Sequence, residues 1–230
     1  MKEKKINFLF YKIKFVMSKK FNILLDLDQT LISAEALEEY DAVKNKAKSE
    51  KFKSETMDEY YIVFERPGLQ EFLTYLFDNF NVSIWTAASK DYALFIIDKF
   101  ILNPTKLGRK LDWIFFSYHC DISKKIKKGS KMLDMMWNEY KIDGYNKDNT
   151  IILDDYDEVY KIQPNNCIIA FAFEFTDDDS DKDRFMYDLK EAMKEAMKKY
   201  KNSSRTFATL VNDTMKKTKG STPKGSTPRS

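Results

Sequence analysis

Apolar residues in this chain gather into short runs that stop abruptly on polar ones. Five runs, at residues 21–25, 82–85, 113–116, 150–153 and 167–173, are rich in Ile, Val, Leu and Phe and show no alternation. Such runs predict strands buried on both faces. Between them, residues 69–80, 90–102 and 131–140 repeat apolar positions at helical spacing. Strand and helix in alternation imply parallel strands joined by right-handed crossovers. The pattern predicts an α/β fold with a doubly wound, parallel, five-stranded sheet.

Two segments depart from this alternation. Residues 33–52 place Leu37, Tyr40, Val43 and Ala47 at helical intervals, and "EYYIVFERPG" then reads as extended until Pro67 ends it. Together they predict a small, largely helical insert after the first strand. Residues 181–200 carry Phe185, Leu189, Met193, Met197 and Tyr200 on one helical stripe, a packing face. Beyond it "KGSTP" occurs twice with nothing apolar to bury. The expected organisation is a basic extension at 1–20, one domain at 21–202, and a basic, largely disordered tail at 203–230.

Charge sharpens that division. The formal net charge of +3 hides ends of +6 (residues 1–20) and +5 (residues 214–230), which leave the body at −8. Cys120 and Cys167 form no CxxC pair, so neither a disulfide framework nor a cysteine zinc site is expected. A reducing compartment, cytoplasmic or nuclear, follows. Lys12 and Lys14 interrupt the apolar patch near the N-terminus, so no signal peptide, membrane span or membrane partner is predicted, and Met17 is a second candidate start. A monomer is expected.

In open parallel sheets ligands bind beyond the carboxyl ends of the strands. The first strand delivers Asp26, Asp28 and Thr30 there, the second Thr86, and the fourth Asp154 and Asp155. Asp26 and Asp28 share a strand face and repel unless a cation, a proton or hydrogen bonds intervene. Lys131, expected at the start of the helix before the fourth strand, can reach the same edge; Lys128 is the reserve. Four carboxylates, two hydroxyls and an ammonium suit magnesium together with a phosphate. Other features carry less. Ile126 stands where a cysteine phosphatase needs arginine after Cys120, "TDDDSDKD" at 176–183 reads as a cap for the following helix, and "KKIKK" at 124–128 reads as a solvated or phosphate-attracting rim.

"LLDLDQTL" resembles motif I of the haloacid dehalogenase superfamily, and Thr86, Lys131 and "LDD" at 153–155 follow in the order of its later motifs. "FERPGLQEFLTYLFDNFNVSIWTAASKDYA" is similar to the phosphatases that act on the C-terminal domain of RNA polymerase II, the FCP/SCP-like or NLI-interacting factor-like family. The resemblance spans about residues 21–178. It implies that Asp26 is the nucleophile, forming an aspartyl phosphate, and that Asp28 is the general acid and base. Asp26, the Asp28 carbonyl and Asp155 would hold magnesium, with Asp154 orienting a metal-bound water or Lys131. Thr30, Thr86 and Lys131 would bind the phosphoryl group. Neither interval between motifs has room for a full cap domain. The implied substrate is a phosphorylated serine or threonine in a protein, with a nucleic acid 3'-phosphate the other enzyme reading. A non-catalytic binding module would have no reason to keep the repelling charges.

Overall fold

Ile23 and Leu25 enter one hydrophobic core while Leu24 between them enters another. That is why the first apolar run does not alternate. The computed structural model describes residues 21–102 and 108–219. In chain order these form β1 (Phe21–Leu25), β2 (Ile32–Ala36), α1 (Ala42–Ser49), β3 (Ser54–Met57), β4 (Tyr61–Glu65), α2 (Leu69–Asn79), β5 (Phe80–Trp85) and α3 (Lys90–Ile96), the last extended by a π-helical stretch, Ile97–Leu102. There follow β6 (Leu111–Phe115), α4 (Ser117–Lys127), a π-helical turn (Met135–Glu139), β7 (Thr150–Asp154), α5 (Asp157–Ile162), β8 (Cys167–Ile169), a 3-10 turn (Ser180–Lys182), α6 (Phe185–Tyr200) and α7 (Phe207–Lys219).

The main sheet has five strands in the order β6-β5-β1-β7-β8, paired in parallel throughout. The chain builds outward from β1 through β5 to β6, then crosses to β7 and β8. The strand order therefore switches around β1, and Asp26 and Asp28 leave its carboxyl end at that switch. Residues of α2, α3, α6 and α7 fill the core on one face; those of α4, the π-helical turn and α5 fill the other. The doubly wound α/β expectation holds. Among the described residues the interval from Thr86 to Lys131 holds only core elements, as the capless reading requires.

The insert differs from expectation. Residues 32–36 form a strand, β2, and only Ala42–Ser49 is helical, with Asp41 Oδ1 accepting from the backbone N–H groups of Val43 and Lys44. The three strands pair antiparallel in the order β2-β4-β3. The apparent helical stripe misleads because α1 buries none of its residues and Val43 stays exposed. Tyr40 instead packs against Phe64 and Phe175, beyond the strand. Pro67 and Gly68 then turn the chain into α2; Gly68 has φ 81° and lies against the Tyr187 ring, where a Cβ would come within 2.7 Å of ring carbon.

The expected tail is corrected at 207–219. Phe207, Ala208, Val211 and Met215 of α7 are buried against α6 and β8. Thr206 caps this helix, its Oγ1 accepting from Thr209 N–H. The expectations for 1–20 and 220–230 fall outside the described residues. Asn212 on α7 completes the edge strand β8: its amide donates to the Cys167 carbonyl at 2.9 Å and its Oδ1 accepts from Ile169 N–H at 3.1 Å. Asn212→Ala leaves a buried carbonyl and a part-buried N–H unpaired, so chemical denaturation should show a loss of about 2 kcal/mol. An unchanged midpoint would count against this role for α7.

Candidate active site

Asp26 continues the β1 ladder by donating its N–H to the Leu153 carbonyl, and the chain then coils tightly through Leu27 to Ile32. Leu31 and Ile32 N–H both return to the Leu27 carbonyl, and Gln29 adopts φ 58°. Gln29 is anchored across the fold, its amide donating to Glu174 Oε1 at 2.5 Å and its carbonyl accepting from Phe173 N–H at 2.7 Å. The coil thus displays Asp26 and Asp28 from fixed backbone.

Lys131 is the hub of the cluster. Its ammonium lies 2.7 Å from Asp26 Oδ1 and 2.8 Å from Asp154 Oδ2, and all three residues are buried. Lys131 does not begin a helix, as the spacing had suggested. It sits in a turn at φ 51°, and only Met135–Glu139 beyond it is helical. Gln163 holds this turn, donating to the Lys131 carbonyl at 2.8 Å and accepting from Leu133 N–H at 3.0 Å. Lys128, the reserve, is an exposed cap of α4.

Each Asp154 oxygen accepts a hydrogen bond, Oδ2 from Lys131 and Oδ1 from Tyr156 N–H at 2.9 Å. Asp155 accepts from the Thr30 hydroxyl at 2.9 Å. Thr30 and Thr86 are both wholly buried, but the Thr30 proton is committed to Asp155, where the sequence had suggested a phosphate-binding hydroxyl. Thr86 directly follows β5, which pairs with β1, and its Oγ1 accepts from Ala88 N–H at 3.0 Å, which leaves the hydroxyl proton free to donate. Oxygens of Asp26, Asp154 and Asp155 lie within 4.8 Å of one another. Crowded hard oxygens of this kind suit magnesium.

Electrostatics follow from burial. Burial pushes Asp26 and Asp154 each up to about 6, against the opposing pull of Lys131. Burial likewise raises Asp28 and Asp155. For Lys131 burial disfavours the charge, but Asp154 and Asp26 outweigh it and hold the ammonium above its ordinary value. Lys131 is thus a fixed cation among carboxylates that are costly to keep ionised together.

Two residues here escaped the sequence reading. Tyr92 on α3 donates its hydroxyl to Asp28 Oδ1 at 2.6 Å. Arg66, inside the quoted "FERPG", is wholly buried and braces the coil from behind, donating to the Thr30 carbonyl at 2.9 Å and the Phe171 carbonyl at 2.8 Å while pairing with Asp183 through Nε and Nη2. Asp183 also accepts from the N–H of Phe185, the first residue of α6, whose N-cap is Arg184 and makes no side-chain cap bond, so the cap expected of "TDDDSDKD" is replaced by this contact from one residue earlier. His119 accepts from Phe116 N–H through Nδ1, and Cys120 is buried.

No helix among the described residues is long and apolar enough to cross a membrane. The CTD phosphatase-like protein 355R of Invertebrate iridescent virus 6 is 44% identical over 176 residues, covering 75% of this chain and 96% of that protein. The protein of the same name in Invertebrate iridescent virus 3 is 43% identical over 174 residues, covering 72% and 91%. The structure of Fcp1, an RNA polymerase II CTD phosphatase, superposes with a TM-score of 0.57 over 87% of this chain and 72% of that one. At 14% identity it speaks for the fold alone. Residues 21–204 match the NLI interacting factor-like phosphatases, and the chain belongs to that family.

Proposed function

We propose that the protein is a magnesium-dependent phosphatase that removes phosphate from serine or threonine in a protein through an aspartyl phosphate on Asp26. The observation that carries this reading is the Lys131 ammonium fixed between Asp26 and Asp154 at the carboxyl edge of the sheet. An Asp26 carboxylate oxygen attacks phosphorus while the bond to the serine or threonine oxygen breaks. Asp28 gives that leaving oxygen a proton, which its burial favours its holding. Water then attacks the phosphorus of the acyl phosphate, Asp28 takes back a proton, and inorganic phosphate leaves. Lys131 and the Thr86 hydroxyl donate to the phosphoryl oxygens through both steps.

The acidic donor set fits magnesium. Asp26 and Asp155 would hold it with the Asp28 carbonyl, and Asp154, which accepts a hydrogen bond on each oxygen, would orient Lys131 or a metal-bound water. Bound there, the ion would offset charge around the phosphoryl group. Magnesium at about 100 times its Kd should add about 2.7 kcal/mol of stability, roughly 5–10 °C in Tm. Turnover of an aryl phosphate should vanish with chelator and return with magnesium. A chelated protein that neither loses stability nor activity would contradict the site.

Among the described residues the elements beside this edge are those of the core and the three-stranded insert, whose Tyr61 is exposed. Selectivity should then come from contacts along an extended chain. A side-by-side comparison of kcat/KM on phosphopeptides, 3'-phosphorylated oligonucleotides and sugar phosphates tests this. Phosphopeptides should lead; a preference for either other class would overturn the protein-substrate reading.

A further inference from the structure

The hydroxyl of Tyr92 donates a 2.6 Å hydrogen bond to one oxygen of Asp28, and the Tyr92 ring is itself held edge-on by Tyr61 of the insert, with centroids 5.4 Å apart. Tyr92 is largely removed from solvent and rises from the first turns of α3, whose entry is fixed: Ala88 N–H donates to Thr86 Oγ1, and the Ala88 carbonyl accepts from Ser117 N–H. One short rigid segment therefore carries both Thr86, at the phosphoryl site, and the hydroxyl that grips Asp28. We infer that Tyr92 is a positioning residue that fixes which oxygen of Asp28 exchanges the proton with the leaving group. This rests on Asp28 being the acid.

A protonated carboxyl has one O–H and one carbonyl oxygen. With Tyr92 donating, as in the 2.6 Å bond, Oδ1 is the acceptor and the proton resides on Oδ2. Without that bond the carboxyl can rotate and present its proton away from the leaving oxygen. Misplacing an acid costs rate only where the leaving group needs protonation, so the effect is selective by substrate. Tyr61 enters through the ring contact alone, as the wall that keeps the phenol from swinging off Asp28.

The test is Tyr92→Phe, which keeps the ring and its packing on Tyr61, measured with a phosphoserine peptide and with p-nitrophenyl phosphate, whose leaving group needs little proton. General acids contribute about 10²- to 10⁴-fold, so loss of orientation alone should lower peptide kcat about tenfold with KM little changed, and aryl phosphate kcat by about twofold or less. Adding Tyr92→Phe to Asp28→Asn should cause no further fall on the peptide, and Tm should stay close to wild type. Equal losses on both substrates, no loss on either, or losses that multiply with Asp28→Asn would overturn the inference. If Asp28→Asn itself treats both substrates alike, the acid assignment fails first. If the wild type hydrolyses neither, the proposed function falls and this inference with it.

Discussion

Asp26→Asn should abolish turnover while leaving the fold standing. The amide is nearly the same size as the carboxylate but cannot form an acyl phosphate, and loss of a nucleophile from a concerted group typically costs on the order of 10⁴-fold or more. The fold should survive because Lys131 keeps Asp154 at 2.8 Å, so no buried charge is orphaned. Removing Asp26 also relieves its repulsion with Asp155 and Asp28, which offsets part of the lost ion pair. Activity on p-nitrophenyl phosphate together with a melting curve checks both halves. Activity within tenfold of wild type would show that Asp26 is not the nucleophile; collapse of the fold would show that the cluster is held together more by Asp26 than by Asp154.

Arg66→Met should give the largest loss of stability among the substitutions considered. The guanidinium is wholly buried, forms a two-point pair with Asp183, serves two backbone carbonyls and lies over the Phe185 ring at 4.3 Å. Methionine fills similar space but offers no donor. Breaking a buried pair by removing one partner costs about 3–5 kcal/mol. For a domain of this size that is roughly 10 °C in Tm. Asp183 is partly exposed and can rehydrate, which keeps the loss nearer the lower figure. Since one of the freed carbonyls belongs to Thr30, which orients Asp155, activity should fall even below the melting range. A loss under about 1 kcal/mol would mean that solvent replaces these bonds readily.

How much of this was legible depended on the range of the forces involved. The strands at 21–25, 82–85 and 150–153 could be read because burial on both faces leaves a contiguous apolar signature; the run at 113–116 falls on an edge strand with Trp113 exposed, and of the run at 167–173 only Cys167–Ile169 is strand. Asp26, Asp28, Thr86, Asp154 and Asp155 followed because parallel sheets deliver strand-end residues to one edge. The turn around Lys131 could not be read: its left-handed backbone is imposed by Gln163, 32 residues away. Tyr92 looked like any helix aromatic until α3 was brought against Asp28, 64 residues earlier. The helix α7 was a different kind of miss. Phe207, Val211 and Met215 repeat at four-residue spacing, a signal present in the sequence but overshadowed by the apolar-poor repeat that follows.

The most direct test of the account is to trap the phosphorylated enzyme. Incubation with excess phosphoserine peptide and magnesium, acid quenching and reduction with borohydride should convert the acyl phosphate at position 26 to homoserine, found by peptide mass spectrometry, and Asp26→Asn should give none. Reduction at another carboxylate, or steady turnover with no reducible acyl phosphate at Asp26, would contradict the mechanism.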